Sequence, residues 1–319
     1  MKGFEELKSK RILVTGGAGF IGSHLVEELI KIGAKIRVVD NLSTGKLKNI
    51  EPFINEIEFI LGDLSEYTTA EQSVKDIEYI LHQAAVPSVP RSVRNPIRSN
   101  RSIVTATINL FEAARKENVK RIVQASSSSV YGNSPTLPKK EDMCPNPLSP
   151  YAVAKYTQET YGKVFSAIYG MSIVSLRYFN VFGQRQDPDS EYSAVIPKFI
   201  KLMMNDKQPT IYGDGETTRD FTYVKNVVSA NLKSLISKKE VSGEHINIAC
   251  GERISLNELV KEINKIMKKD IEPKYGPERI GDVKHSLAEI SKAENLIDYE
   301  VINKTGYGLN ELISFFVNK

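Results

Sequence analysis

A chain of 319 residues with 43 Lys and Arg against 39 Asp and Glu carries a net charge of only +4, too small a surplus to predict a nucleic-acid footprint. Hydrophobic residues at 41% and charged residues at 26% are globular values that exclude global disorder, and the length suits one large domain or two small ones. Two cysteines, Cys144 and Cys250, cannot make a disulfide framework, the histidines His24, His82, His245 and His285 lack ligand spacing, and no apolar run reaches the roughly 18 residues of a membrane span. The opening residues, from Met1 to Glu6, have no apolar leader core. The expected setting is therefore soluble and cytoplasmic, with a small-molecule partner, no metal, no nucleic acid and no membrane.

Along the chain, short β-branched runs alternate with helical patterns. A buried strand at 11–15 leads into a glycine cluster and a helix over 21–31, whose apolar positions Ile21, Leu25, Leu29 and Ile32 recur at helical spacing. Gly33 closes that helix, and strands follow at 35–39 and 58–61. A helix near 70–74, a strand at 77–81, a helix over 103–117 and a strand at 121–125 continue the alternation. Such alternation predicts a parallel sheet covered by helices on both faces. The stretch 131–150 holds five prolines and no periodicity, so it reads as a surface loop; Ser149 then caps a helix that begins with Pro150. Beyond Tyr178 the alternation breaks into glycine- and aromatic-rich segments, which suggests a smaller lobe packed on the sheet.

The cluster Gly16, Gly17, Ala18, Gly19, Phe20, Ile21, Gly22 lies between the first strand and the first helix. Small residues there let the backbone turn tightly and approach a pyrophosphate, and the helix N-terminus favours its charge. Asp40 ends the second strand about 20 residues later, where a carboxylate accepts hydrogen bonds from both ribose hydroxyls and repels a 2′-phosphate. The pattern therefore predicts NAD and not NADP. Asp63 and Leu64, after the third strand, are placed to meet the adenine.

Tyr151 and Lys155 stand four residues apart at a helix start and so share one face. An ammonium beside a phenol favours the phenolate, which makes a general base near neutral pH from a group that ordinarily titrates at about 10. The serine run from Ser126 to Ser129 follows the strand at 121–125 at its carboxyl end, where parallel sheets bind ligands.

These elements together, with Asp40-Asn41-Leu42-Ser43-Thr44-Gly45 and His82-Gln83-Ala84-Ala85, resemble the extended short-chain dehydrogenase/reductases, and within them the nucleotide-sugar 4-epimerases. The resemblance runs from about Arg11 to Leu296. It implies a Rossmann-type doubly wound sheet, with 1–179 and a returning 222–250 holding NAD, and 180–221 plus 251–319 forming a substrate-binding lobe. It implies Tyr151 as base, Lys155 as its activator and Ser127 as proton relay. The cofactor set it implies comprises Gly16, Gly19, Phe20, Ile21, Gly22 and Asp40, with Asn41, Ser43, Thr44 and Gly45. To these it adds Asp63, Leu64, Gln83, Ala84, Ala85 and Asn100, and finally Ser126, Tyr151, Lys155, Tyr178 and Val181.

For the substrate, the resemblance points to Asn180 at the crossover into the second lobe and to Tyr212 and Arg219 in a nucleotide clamp. Arg219 and Arg279 form the expected diphosphate pair, since a guanidinium grips a diphosphate bidentately, and Asp282 meets the uridine ribose or braces them. Ser88, Ser127, Ser128, Asn180, Ala194 and Val195 complete the sugar site. Ser286 occupies the place where glucose-restricted members resemble one another in carrying tyrosine, and a small residue there leaves room for an N-acetyl group. The expected reaction is reversible 4-epimerisation of UDP-N-acetylglucosamine through a 4-keto sugar, in a homodimer packed through helices near 103–117 and 151–168. Tyr161, Phe165 and Ile168 give the second of these an apolar stripe. UDP-glucose-only and UDP-hexuronate epimerases are the alternatives, with Arg94 or Arg185 available to an extra carboxylate. A dehydratase is disfavoured because Ser128 and Ser129 stand where an Asp-Glu pair is needed. A non-catalytic NAD-sensing protein is disfavoured because Tyr151 and Lys155 are both present.

Overall fold

The computed structural model describes residues 3–187, 195–278 and 284–318. In chain order the strands are β1 (Arg11–Thr15), β2 (Lys35–Asp40), β3 (Ile57–Leu61), β4 (Tyr79–His82), β5 (Arg121–Ser127), β6 (Ile173–Tyr178), β7 (Val181–Phe182), β8 (Thr210–Tyr212), β9 (Thr218–Arg219), β10 (Thr222–Tyr223), β11 (His245–Ile248), β12 (Ile254–Ser255) and β13 (Lys274–Gly276). The helices are α1 (Phe20–Ile32), α2 (Tyr67–Val74), α3 (Val89–Arg94), α4 (Pro96–Asn100), α5 (Ala106–Lys116), α6 (Pro150–Tyr169), α7 (Val195–Met204), α8 (Val224–Ile236), α9 (Leu256–Met267), α10 (Ser291–Ile297) and α11 (Thr305–Val317).

Seven strands form one sheet in the order β11-β6-β5-β4-β1-β2-β3, with every neighbouring pair parallel. The order reverses between β1 and β4, which opens a crevice at the carboxyl ends of those strands. This is the Rossmann-type doubly wound α/β fold. Apolar clusters fill the space on the two sides of the sheet, one joining α1 and α8 to the strands and the other joining α2, α5 and α6. A third cluster, built from Phe182, Ile196, Phe199, Phe221, Leu259 and Leu312 among others, lies in the second half of the chain. No helix among the described residues is long and apolar enough to cross a membrane.

Local chemistry sets the element ends. Gly33 closes α1 at φ +82, and its N–H returns to the carbonyls of Leu29 and Ile30. The Ser149 hydroxyl accepts the Ala152 N–H at 3.1 Å to open α6, with Pro150 in the first turn.

Four details depart from the sequence reading. β4 begins at Tyr79 instead of 77, because Asp76 turns at φ +60. β5 continues through Ser127, so Ser126 and Ser127 belong to the strand. The helix expected over 103–117 starts as a π-helical turn at Arg101–Thr105 before α5 proper. On α6, Phe165 is buried against Phe111 with ring centroids 5.4 Å apart and Tyr161 packs beside it, so that stripe is core and only Ile168 lies at the surface.

Candidate active site

The crevice between β1 and β4 is lined by the glycine turn. Gly16 adopts φ +66, and a Cβ on it would lie 2.8 Å from the Ala84 Cα. A Cβ on Gly22 would lie 2.2 Å from the Gly16 carbonyl oxygen, a contact no side chain survives. Gly19 caps α1 with no side-chain hydrogen bond over the helix end, which leaves the first-turn amides of Phe20 and Ile21 facing outward for an anion. The far wall is fixed by the Thr15 hydroxyl, which accepts the Ala84 N–H at 3.1 Å and meets His82 Nδ1 at 2.7 Å. Burial pushes His82 down to about 3, so it is a neutral ring joining Thr15 to Thr107, 3.0 Å from its Nε2.

Asp40 ends β2 almost fully buried. Its Oδ2 accepts the Ala18 N–H at 3.0 Å and its Oδ1 the Leu42 N–H at 2.8 Å, while Gly45 passes so close that a Cβ would lie 2.8 Å from the carboxylate. Burial raises its pKa against those two amides. One lone pair on each oxygen remains for a diol, which fits a dinucleotide ribose. Asn41 donates to Asp63 Oδ2 at 3.0 Å, and Asp63 Oδ1 accepts the Ser65 N–H at 2.8 Å. Burial opposes ionisation of Asp63, but those hydrogen bonds outweigh it and hold it below the ordinary range. The Ser43 N–H turns back to Asn41 Oδ1 at 3.0 Å, Thr44 is exposed and Leu64 is buried. Asn100, at the end of α4, lines a cavity of about 640 Å³ with Ser65, Glu66 and Arg101.

Deeper in the crevice the Tyr151 hydroxyl faces that of Ser127. Ser127 caps the short turn Ser128–Tyr131, its oxygen accepting the Ser129 N–H at 3.2 Å, so its proton is free to be passed on. Burial raises Tyr151 and the Ser127 hydroxyl opposes the rise. Lys155, only 2% exposed, donates to the Ala125 carbonyl at 2.6 Å and to Gln158 Oε1 at 3.0 Å. Burial pushes its ammonium down to about 7, and the nearby Glu159 charge opposes that. Of the three groups named from the sequence, Ser127 and Tyr151 face each other, and Lys155 meets the same strand two residues before Ser127.

Of the remaining cofactor candidates, Ala85 packs against Ile103, Val104 and Ala154, and the side chains of Tyr178 and Gln83 meet each other and Asn231. The Tyr178 hydroxyl donates toward Gln83 Oε1 or Asn231 Oδ1, each 3.1 Å away, and accepts from Asn231 Nδ2 at 2.8 Å. The Ser126 hydroxyl donates to Glu159, and Val181 is part-buried in β7.

On the sugar side, Asn180 adopts φ +34, and its Nδ2 donates to the Asp220 carbonyl at 2.9 Å and to the Ser286 hydroxyl at 3.0 Å. Ser88 caps α3 at φ +108, Ser128 opens the turn after β5, and Val195 begins α7. Tyr212 is exposed in β8, and Arg219 of β9 donates to the carbonyls of Thr218 and Lys284 at 3.0 and 3.1 Å. Arg185 is engaged by α1: it donates to the Ser23 carbonyl at 2.9 Å and pairs with Glu27. Ala194, Arg279 and Asp282 lie outside the described residues.

Two buried groups escaped the sequence reading. Asp220 accepts the N–H groups of Cys250, Gly251 and Ala288 at 2.9, 3.1 and 3.2 Å, and so ties three segments around Asn180 and Ser286. Glu159 and Arg177 form a buried ion pair behind Ser126. Glu159 carried a signal, since it continues the four-residue spacing of Tyr151 and Lys155.

The pattern of the family described as "NAD dependent epimerase/dehydratase family" matches residues 12–249, three quarters of the chain. The chain belongs to that family. NAD is therefore its cofactor, in agreement with the glycine turn and Asp40. Within the family, a Methanocaldococcus jannaschii protein provisionally named UDP-glucose 4-epimerase is 43% identical over 287 residues, 89% of this chain and 92% of its own length. The solved UDP-N-acetylglucosamine 4-epimerase from Methanobrevibacter ruminantium M1, in complex with UDP-N-acetylmuramic acid, is 43% identical with a TM-score of 0.93, covering 98% of this chain and 99% of that one. The UDP-glucose 4-epimerase of Thermotoga maritima with UDP-glucose is 37% identical with a TM-score of 0.91, covering 97% and 99%.

Proposed function

We propose that the protein is an NAD-dependent UDP-sugar 4-epimerase that prefers UDP-N-acetylglucosamine and forms UDP-N-acetylgalactosamine. The observation that carries the reaction is the Ser127–Tyr151–Lys155 constellation at the carboxyl end of β5, next to a glycine turn with no side chain over its helix end. Bound NAD supplies the reversible removal and return of hydride at C4. Tyr151 takes the 4-hydroxyl proton, directly or through Ser127, whose oxygen is already fixed by the Ser129 amide. Lys155 favours the phenolate and holds the nicotinamide ribose. The residues on the sugar side keep the diphosphate in place while the 4-keto sugar turns its other face. In this reading 1–179 and 222–250 hold the cofactor, 180–221 and 251–319 hold the substrate, and Arg219, Arg279 and Asp282 take the diphosphate and uridine.

The N-acetyl preference rests on Ser286. Its hydroxyl is bonded to Asn180, so a small residue stands beside the proposed sugar contact instead of a bulky ring. The engagement of Arg185 by Glu27 weighs against a UDP-hexuronate substrate, because that guanidinium is already committed. The 43% identical N-acetylglucosamine epimerase supports the same preference. Two copies are proposed to pack through the outer face of α6, where Val153, Tyr156, Val164 and Ile168 are exposed.

The test is incubation of purified protein, with no NAD added, with UDP-N-acetylglucosamine and separately with UDP-glucose, followed by chromatographic separation of the C4 epimers. UDP-N-acetylgalactosamine forming faster than UDP-galactose supports the whole reading. Reaction of UDP-glucose alone leaves the chemistry standing and removes the Ser286 argument. No conversion of either, with NAD supplied, overturns the proposal.

A further inference from the structure

The active-site reading requires Ser127, Tyr151 and Lys155 to keep one geometry, and a buried ion pair sits directly behind them. On α6, Tyr151, Lys155 and Glu159 follow at four-residue spacing and so share one face. They meet three consecutive residues of β5. Tyr151 faces the Ser127 hydroxyl, Lys155 donates to the Ala125 carbonyl at 2.6 Å, and Glu159 accepts from the Ser126 hydroxyl. Sheet register sets Arg177 of β6 opposite Ser126. Its Nε and Nη2 donate to the two oxygens of Glu159 at 2.9 and 2.8 Å, with the side chains 1% and 5% exposed. Arg177 in turn lies 4.8 Å from the centre of the Tyr131 ring, whose hydroxyl donates to Asn247 at 2.7 Å.

A buried ion pair adds little net stability over apolar residues of similar volume, so stability alone does not explain why a serine of the catalytic strand is tied to it. We infer that Glu159, held by Arg177, is a positioning residue: through Ser126 it fixes the strand end from which Ser127 meets Tyr151. The inference rests on the epimerase reading above. It also has an electrostatic side. Glu159 is the negative group that opposes the loss of charge burial imposes on Lys155, and an uncharged Lys155 no longer favours the Tyr151 phenolate. The other titratable groups around this centre are His82 of β4, neutral through burial, Arg177 of β6, which is faced by Tyr131 and Glu141, and His245 of β11, which burial and Arg177 push down and Glu159 pushes up, with Lys292 lining the same cavity.

Three variants separate the two effects. Ser126→Ala keeps both charges and removes the link to the strand; kcat is expected to fall on the order of tenfold, with KM and the pH midpoint unchanged. Glu159→Gln is expected to lower kcat further and to move the rising limb of its pH profile upward by about one unit, so that activity recovers at alkaline pH. If that variant does not fold, Glu159→Leu with Arg177→Met removes both charges at similar volume and carries the same expectation. Ser126→Ala decides the positioning claim by itself if neither folds. Tm and acid-released NAD are measured alongside.

Native kcat and an unmoved limb, in Ser126→Ala and in a folded charge variant, overturn the inference. So does a fall in Tm and bound NAD with native kcat in the NAD-loaded fraction, which marks a merely structural pair. Wild-type protein that converts no UDP-sugar overturns the epimerase reading first, and the inference falls with it.

Discussion

The Asn180 side chain donates to the Ser286 hydroxyl at 3.0 Å, joining residues 106 positions apart in the chain. The Asp220 N–H also reaches that hydroxyl, at 3.3 Å. Ser286 is therefore part of the wall beside Asn180 and not an indifferent surface serine. Ser286→Tyr would fill this space with a ring and break both contacts. The expected outcome is a fall in kcat/KM for UDP-N-acetylglucosamine, relative to UDP-glucose, on the order of 100-fold. Initial rates with both sugars check it; an unchanged ratio removes Ser286 as the determinant.

Asp220 anchors the same wall from below. Three backbone amides bond its carboxylate, and Asp220→Asn would turn one oxygen into an NH2 group that opposes them. A cost of about 1–3 kcal/mol is expected, read as a lower Tm. The cost also depends on pH. Burial pushes Asp220 up from an ordinary 3.8 to about 6, so between those values the folded protein holds more of this proton than the unfolded chain. Its contribution is full below 3.8 and is lost as pH rises through 6. The Tm gap between wild type and variant should thus be widest near pH 4 and narrower at neutral pH. A gap that widens toward neutral pH contradicts this assignment.

At the cofactor end, Gly22→Ala places a methyl group 2.2 Å from the Gly16 carbonyl oxygen. The obstacle is backbone, so the turn itself must move away from the position that receives the pyrophosphate. Acid-released NAD per chain is expected to fall at least tenfold, with Tm reduced by only a few degrees. Retention of wild-type NAD would show that the turn does not carry the cofactor.

The sheet and the cofactor end were legible because both are written locally. Buried β-branched runs, Gly33 as a cap, the spaced glycines and Asp40 each announce a backbone conformation or a charge within a few residues of where it acts. The Tyr151–Lys155 pair was legible for the same reason, being one helical turn. Ser126 and Ser127 were placed after the strand because the apolar run ends at Ala125, yet sheet pairing with Arg177 and Tyr178 extends β5 through both. Tyr161 and Phe165 show the converse limit: helical spacing gives a stripe without saying which neighbour covers it. Asp220 and the Glu159–Arg177 pair were not legible. Their partners lie 18 to 68 residues away, and nothing in local sequence distinguishes a buried carboxylate from a solvated one.

Tyr151 offers the sharpest test of the chemistry. Burial raises its pKa and the Ser127 hydroxyl opposes the rise, while the buried Lys155 ammonium is pushed down to about 7. Burial thus pushes the two groups in opposite directions, the phenol up and the ammonium down, each toward its neutral form. The phenolate is the active base, so kcat should rise with pH to a plateau. Tyr151→Phe removes the proton acceptor and is expected to lower kcat by about 10² to 10⁴, with a flat residual profile, unchanged acid-released NAD and a Tm no lower than wild type. Lys155→Met keeps the phenol but removes the charge that stabilises its ionised form. Its rising limb should move to higher pH, because a phenol without a neighbouring cation ionises later. Parallel pH profiles of the three proteins decide the matter. If Tyr151→Phe retains a sloping profile and near-native rate, another group is the base; if Lys155→Met leaves the limb in place, the lysine serves only to hold the ribose.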